Sequence, residues 1–191
     1  MKIGIDFDDC LVNYFPPLIE HLNNVFGTTY EVRDIFSFDL EKVWKVDSQT
    51  MRKSLADFYL YEKDLDIQPV NGALDAIRKL KEKNELIIIT GRPDSTYDFV
   101  HGWLEKHLPN TFDKIIFTNQ FFGARREKVS ICIEEGVGAF IDDNLQNVLD
   151  TAKERIIKCF LMDASWNQEP IPEYVSRVKS WEEIVDGLNL Y

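Results

Sequence analysis

The chain has 191 residues, with 22 Lys and Arg against 33 Asp and Glu, for a formal net charge of −11. That length suits one good core plus a small accessory domain. The charge excludes a nucleic-acid backbone as partner and leaves small phosphorylated molecules open, since a local cation site can outweigh a global charge.

Cys10, Cys132 and Cys159 are odd in number, widely spaced and set among apolar residues. They read as reduced, buried thiols of a cytoplasmic protein, without disulfide or zinc spacing. His21, His101 and His107 are scattered and suggest no metal cluster. The first apolar run is too short for a signal peptide, and no stretch approaches the ~20 residues of a membrane span.

That first run, Ile3 to Ile5, reads as a buried strand, and it stops at Asp6-Phe7-Asp8-Asp9. Three carboxylates this close repel one another unless a cation joins them or some hold protons. Mg²⁺ suits hard oxygen ligands and keeps open positions for water and phosphate. An acidic turn closing a strand is the plainer reading. What outweighs it lies downstream, where two more apolar runs end in polar groups.

From Val12 to Ile67 the chain leaves the strand–helix alternation. Pro16-Pro17 can start a helix over Leu18 to Phe26, with Gly27 as its stop. Asp47 and Ser48 are N-cap types before a second helical run, Thr50 to Tyr59. About 55 residues is too long for a plain loop. The region carries Tyr14, Phe15, Phe26, Tyr30, Phe36, Phe38, Trp44, Phe58, Tyr59 and Tyr61, ten of the chain's 24 aromatics. It reads as a small helical lid over residues 12–67 with an aromatic underside, inserted in an α/β core of residues 1–11 and 68–191. Any one of these rings can equally belong to the lid's own core.

From Pro69 the pattern is regular. Leu74, Ile77 and Leu80 stripe a helix over Ala73 to Lys83. Leu86 to Ile89 is the kind of continuous apolar strand buried on both faces of a parallel sheet. It ends at Thr90-Gly91-Arg92-Pro93. A helix capped by Asp94-Ser95 follows, then a strand at Ile115 to Phe117 and a helix from Lys128 to Gly136. Ala139 to Ile141 is a strand ending at Asp142-Asp143; a helix over Leu145 to Arg155, a strand over Ile156 to Met162 and a helix over Trp181 to Leu188 complete the chain. The alternation argues a doubly wound parallel sheet. Ligands of such sheets bind outside the carboxyl ends of the strands, where strand order reverses. Asp6, Asp8, Thr90 and Asp142 all fall at such ends.

Asp6-Phe7-Asp8-Asp9-Cys10, Ile88-Ile89-Thr90-Gly91-Arg92, Lys128 and Phe140-Ile141-Asp142-Asp143 resemble, in order, the four motifs of the haloacid dehalogenase-like (HAD) phosphohydrolases. Arg125 and Arg126 lie close to Lys128 in the third. A lid placed straight after the first motif, with Thr-Gly-Arg-Pro as the second, is similar to the 5′-nucleotidases of the deoxyribonucleotidase group. Cys10 stands where the superfamily usually has Thr or Val, and Asp9 where that group often has Gly.

The resemblance implies a mechanism that suits the residue types. Asp6 attacks phosphorus and forms an aspartyl-phosphate. Asp8 is general acid, then general base, which requires it to hold a proton that partial burial favours. Mg²⁺ is expected on Asp6, the Asp8 carbonyl and Asp142, with Asp143 supporting or exchanging roles with Asp142. Thr90 and Gly91 bind the phosphoryl group and Lys128 offsets its charge. Arg92 joins the substrate side or pairs with acidic surface. Phe15, Phe36 and Trp44 are expected to take the leaving group.

The expected substrate is a small phosphorylated metabolite, foremost a nucleoside monophosphate. A sugar phosphate is the alternative, favoured by a polar lid pocket, and a non-catalytic binding module is the other class. The intact Asp6/Asp8 pair argues against the module, and the acid at Asp8 argues against dehalogenation.

Overall fold

A computed structural model of the chain describes residues 1–120 and 126–189. Six strands form one wholly parallel sheet: β1 (Lys2–Ile5), β2 (Glu85–Thr90), β3 (Lys114–Phe117), β4 (Ala139–Asp142), β5 (Lys158–Met162) and β6 (Val175–Val178). Their order is β3-β2-β1-β4-β5-β6. Strand order therefore reverses between β1 and β4, the place where such sheets bind ligands.

The run Leu86-Ile87-Ile88-Ile89 is completely buried because both sheet faces are covered. Ile3, Ile5, Leu86, Ile88, Ala139 and Ile141 face one apolar layer, shared with α4 (Ala73–Lys81), α5 (Tyr97–His107) and α8 (Trp181–Asn189). Ile87, Ile89, Phe140, Cys159 and Leu161 face the other, with α6 (Lys128–Glu134) and α7 (Leu145–Ala152). Each fully buried Ile or Leu contributes about 1.5–3 kcal/mol of transfer free energy. Gly4 sits where packing is tight: a Cβ there would stand 2.9 Å from Ile89 Cδ1.

Three helices follow β1, as expected of a helical lid: α1 (Phe15–Phe26), α2 (Leu40–Trp44) and α3 (Ser48–Tyr61). Gly27 closes α1 at φ 68°, a left-handed conformation that glycine adopts without a Cβ penalty. Asp47 Oδ1 accepts the N–H groups of Gln49 and Thr50 at the start of α3. The two chain crossings into and out of this segment lie side by side. Asn13 N–H donates to Gln68 O and Val70 N–H to Leu11 O, at 2.9 and 2.8 Å.

One expected strand starts later than its apolar run. The run Ile156 to Met162 becomes strand only from Lys158, after a turn in which Arg155 takes φ 51°. β6 and α2 were not expected. β6 is a four-residue edge strand carrying Ser176 and Arg177, too short and too polar to show a period. Among the described residues no helix is long and apolar enough to cross a membrane.

Candidate active site

Register explains why Asp6 and Asp142 meet. Ile5 pairs with Ile88 on one side and Ile141 on the other. The next residue on β1 is Asp6 and the next on β4 is Asp142, so their side chains emerge from neighbouring strand ends. Lys128, at the first turn of α6, stands 2.8 Å from Asp6 Oδ1 and 2.8 Å from Asp142 Oδ2. All three are buried. Burial works against the Lys128 ammonium, yet the charges of Asp142 and Asp6 hold its pKa above the ordinary value.

Asp6, Asp142 and Asp143 can each offer one oxygen within 4.8 Å of the others. Burial raises the Asp6 pKa to about 7 against the pull of Lys128, with Asp142 and Asp8 adding to the rise. Burial likewise pushes Asp143 well above the usual carboxylate range, and the charges of Asp142 and Asp6 reinforce it. Three buried carboxylates with one ammonium among them form a donor set that fits a hard divalent cation. Asp142 is otherwise engaged, accepting from Lys128, from Asn147 Nδ2 at 3.1 Å and from Asn144 N–H at 2.8 Å. Asp143 instead lines the open cavity, together with Asp6 and Asp8. It accepts the Trp166 indole N–H at 2.7 Å.

The loop after β1 is folded back tightly: Leu11 and Val12 N–H groups both reach Phe7 O. Phe7 anchors it, edge-on to Trp103 at 5.5 Å and Phe99 at 6.2 Å. Trp181 of α8 donates its indole N–H to Cys10 O at 2.8 Å. Asp9 has φ 52°, a conformation that glycine takes freely and Asp tolerates. Asp9 also caps α1, its Oδ1 accepting from Tyr14 and Phe15 N–H at 3.2 and 3.1 Å.

Thr90 is fully buried, and its hydroxyl accepts the Arg92 N–H at 3.2 Å. Gly91 borders the cavity, where a Cβ would meet Gln120 Oε1 at 2.8 Å. Arg92, expected beside substrate, borders the cavity but is 1% exposed and forks onto Asp8 and Glu62. Asp8, expected to be proton-holding through burial, thus faces a guanidinium. Arg126, the neighbour of Lys128, reaches Glu134 at the surface, and Arg125 lies outside the described residues.

The cavity has a volume of about 220 Å³ and extends from these carboxylates to the helical segment. Phe15, Leu18, Phe38, Leu40, Met51 and Leu55 supply apolar wall, and Asp39, Glu41, Ser48 and Arg52 a polar rim. Of the three expected rings only Phe15 lines it, stacked on Trp166 at 4.1 Å. Phe36 is 64% exposed and outside the lining. Trp44 is buried between helices, edge-on to Tyr30 at 5.3 Å and donating to Thr28 Oγ1 at 3.0 Å. These two rings belong to the surface and to the core of the helical segment.

Glu62, Gln120, Asn147 and Trp166 went unremarked in the sequence. Trp166 had a usable signal, since it follows the strand next to β4 and so lies at the same sheet edge. Glu62 had none, because its complete burial comes only from tertiary packing.

The family model for "5′ nucleotidase, deoxy (Pyrimidine), cytosolic type C protein" matches residues 1–190. Two curated relatives carry the name "Putative nucleotidase". YqfW of Bacillus subtilis is 26% identical over 193 residues, covering 99% of this chain and 94% of its own. BH1399 of Halalkalibacterium halodurans is 23% identical over 185 residues, covering 95% and 89%. Among solved structures, a "predicted phosphatase from Clostridium acetobutylicum" superposes with TM-score 0.73 at 14% identity, over 100% and 98% of the two chains. The haloacid dehalogenase-like protein ATU0790 of Agrobacterium tumefaciens gives 0.70 at 13%, over 99% and 97%. Magnesium-bound YfnB of Bacillus subtilis gives 0.65 at 14%, over 98% of each chain.

Proposed function

The chain belongs to the deoxy (pyrimidine) cytosolic type C 5′-nucleotidase family of the HAD superfamily, and on that premise we propose that it is a Mg²⁺-dependent phosphatase of nucleoside monophosphates. The observation that carries this reading is the buried group of Asp6, Asp142, Asp143 and Lys128 at one end of a cavity that has an apolar wall of Phe15, Leu18, Phe38, Leu40, Met51 and Leu55 inside a polar rim. That apolar wall suits the face of a flat nucleobase, and the polar rim suits its edge and sugar. A cytoplasmic site of action fits the three free, buried thiols.

In this reading the Asp6 carboxylate attacks phosphorus, and the ester P–O bond breaks as the Asp6 oxygen–phosphorus bond forms. Asp8 gives its proton to the departing alkoxide. In the second half a water attacks the aspartyl-phosphate, Asp8 takes the proton of that water, and phosphate leaves as Asp6 regains its carboxylate. Asp8 must therefore be met by substrate in its protonated form.

Lys128 and the backbone at Gly91 are suited to the phosphoryl oxygens, and Thr90 holds the turn that presents them. Asp6, Asp143 and the Asp8 carbonyl would hold Mg²⁺, which supplies charge neutralisation at those oxygens. Asp142 then orients Lys128. Residues 12–67 serve as a lid that excludes water from the transfer.

Phosphate release measured over a panel of nucleoside monophosphates, sugar phosphates and an aryl phosphate, with Mg²⁺ and with chelator, tests the reading. Nucleotides should lead and chelation should abolish release. Faster turnover of sugar phosphates overturns the nucleotide assignment, and full activity after exhaustive chelation overturns the metal.

A further inference from the structure

Arg92 is a buried cation that the proposed mechanism leaves without a part. Its Nε lies 3.0 and 2.9 Å from the two Asp8 oxygens, and Nη2 lies 2.8 Å from Asp8 Oδ1. Nη1 and Nη2 reach Glu62 Oε1 and Oε2 at 2.6 and 3.0 Å. Four of its five N–H groups are thereby committed to carboxylates. Aromatic rings close the remaining sides: Tyr14 at 4.5 Å, Phe99 at 4.8 Å, Tyr59 at 5.4 Å and Phe7 at 5.5 Å from Cζ.

The partners come from two sources. Asp8, Phe7 and Phe99 belong to the sheet-bearing part of the chain. Tyr14, Tyr59 and Glu62 belong to the helical segment, Glu62 in the 3₁₀ turn that follows α3. The guanidinium thus sits at the junction of the two, near the paired crossings at Asn13 and Gln68. An Arg fork fixes both the distance and the plane of a carboxylate. Glu62 fixes the Arg in turn, from the far side. Displacing the helical segment withdraws Glu62 and two rings together, and Asp8 loses the rigid support behind it.

We propose that Glu62 and Arg92 are positioning residues that set where the Asp8 carboxyl stands, so that proton delivery to the leaving group depends on the seat of the helical segment. This rests on the phosphatase reading above. Arg92 acts through Asp8 and does not bind the phosphoryl group.

The test compares two esters on the full chain: a nucleoside 5′-phosphate, whose alkoxide needs a proton, and an aryl phosphate with a leaving group that does not. Glu62→Gln removes the charge that steadies Arg92. It is expected to lower kcat on the nucleotide roughly tenfold or more, within the range of a displaced general acid. KM should hold, and the aryl ester should lose several-fold less. Arg92→Lys keeps the positive charge without the fork; it should give the same selective loss, and it serves if Glu62→Gln does not fold. Thermal unfolding reports which variants are folded. A folded variant that loses both esters equally, or neither, overturns the inference. Should the wild-type chain release phosphate from neither ester, the phosphatase reading itself fails.

Discussion

Trp166 holds Asp143 by its edge and Phe15 by its face. The indole N–H meets Asp143 Oδ2 at 2.7 Å, and the ring stacks on Phe15 with 18° between planes. One side chain thus ties the acidic end of the cavity to its aromatic wall. Trp166→Phe keeps a ring for the stack and deletes the donor. Outer hydrogen bonds of this kind typically carry 10–100-fold in metal affinity. The Mg²⁺ concentration for half-maximal activity should rise by about that factor, with nucleotide KM changed far less. An unchanged Mg²⁺ titration would refute the coupling.

The carboxylate group makes stability depend on pH in a direction opposite to that of ordinary paired Asp residues. Asp6 carries its proton up to about 7 in the folded chain, against 3.8 for a free aspartate, because it is buried. Between those values the folded state binds more protons than the unfolded one, so the slope of stability against pH is negative. The contribution is fully present below 3.8 and is lost as pH rises through 7. Metal-free protein should therefore melt lower at pH 8 than at pH 5 on this account, with Asp143 acting in the same sense. Mg²⁺ at a hundred times its Kd adds ~2.7 kcal/mol. At pH 8 that is a rise of roughly 5–10 °C in Tm for a chain of this size. Calorimetry at the two pH values, with and without Mg²⁺, reads both signs.

Asp6 and Asp8 should separate by chemistry. Asp6→Asn is expected to abolish turnover and any phosphoenzyme trapped on acid quench. It should also raise the Tm of metal-free protein, because a buried carboxylate is removed from beside Asp142. Asp8→Asn should retain the nucleophile and lose about a hundred- to ten-thousand-fold on alkyl phosphates, with a milder loss on aryl esters. Equal losses on both esters count against Asp8 as the proton donor.

Aromatic rings of the helical segment should sort by burial. Phe36→Ala, at an exposed position, should leave nucleotide and aryl phosphate hydrolysis within about twofold and stability within about 0.5 kcal/mol. Trp44→Ala should cost about 3–5 kcal/mol of stability as a truncated core ring. Phe15→Ala should erode the preference for nucleotides over aryl phosphate, because Phe15 lines the cavity. Urea melts alongside the substrate panel discriminate these outcomes, and a selective loss in Phe36→Ala would restore that ring to the site.

The sheet was legible because its strands announce themselves. Leu86 to Ile89 and Ala139 to Ile141 are short apolar runs that stop at polar residues, and the fold follows from their alternation with helices. Asp6, Thr90 and Asp142 could be grouped for the same reason, since parallel strands deliver their carboxyl ends to one edge. What a side chain does after leaving that edge was not legible. Arg92 read as a substrate ligand because nothing local reveals Glu62, 30 residues upstream, closing on it from the other side. Asp142 and Asp143 are adjacent in sequence, and only packing turns one towards Lys128 and the other towards the cavity. Among the aromatics, type and spacing could not separate Phe15 from Phe36: Phe15 opens α1 and Phe36 lies in the loop before α2, and packing alone decides which ring faces inward.

The hydrogen bond from Trp181 to Cys10 O spans 171 positions. During synthesis the loop carrying Asp6 and Asp8 leaves the ribosome long before the indole that pins it. Until α8 arrives, the Cys10 carbonyl must find water, and the loop can sample shapes in which the two aspartates are not presented together. A nascent chain halted before Trp181 therefore holds every motif of the site and still lacks its last fastening.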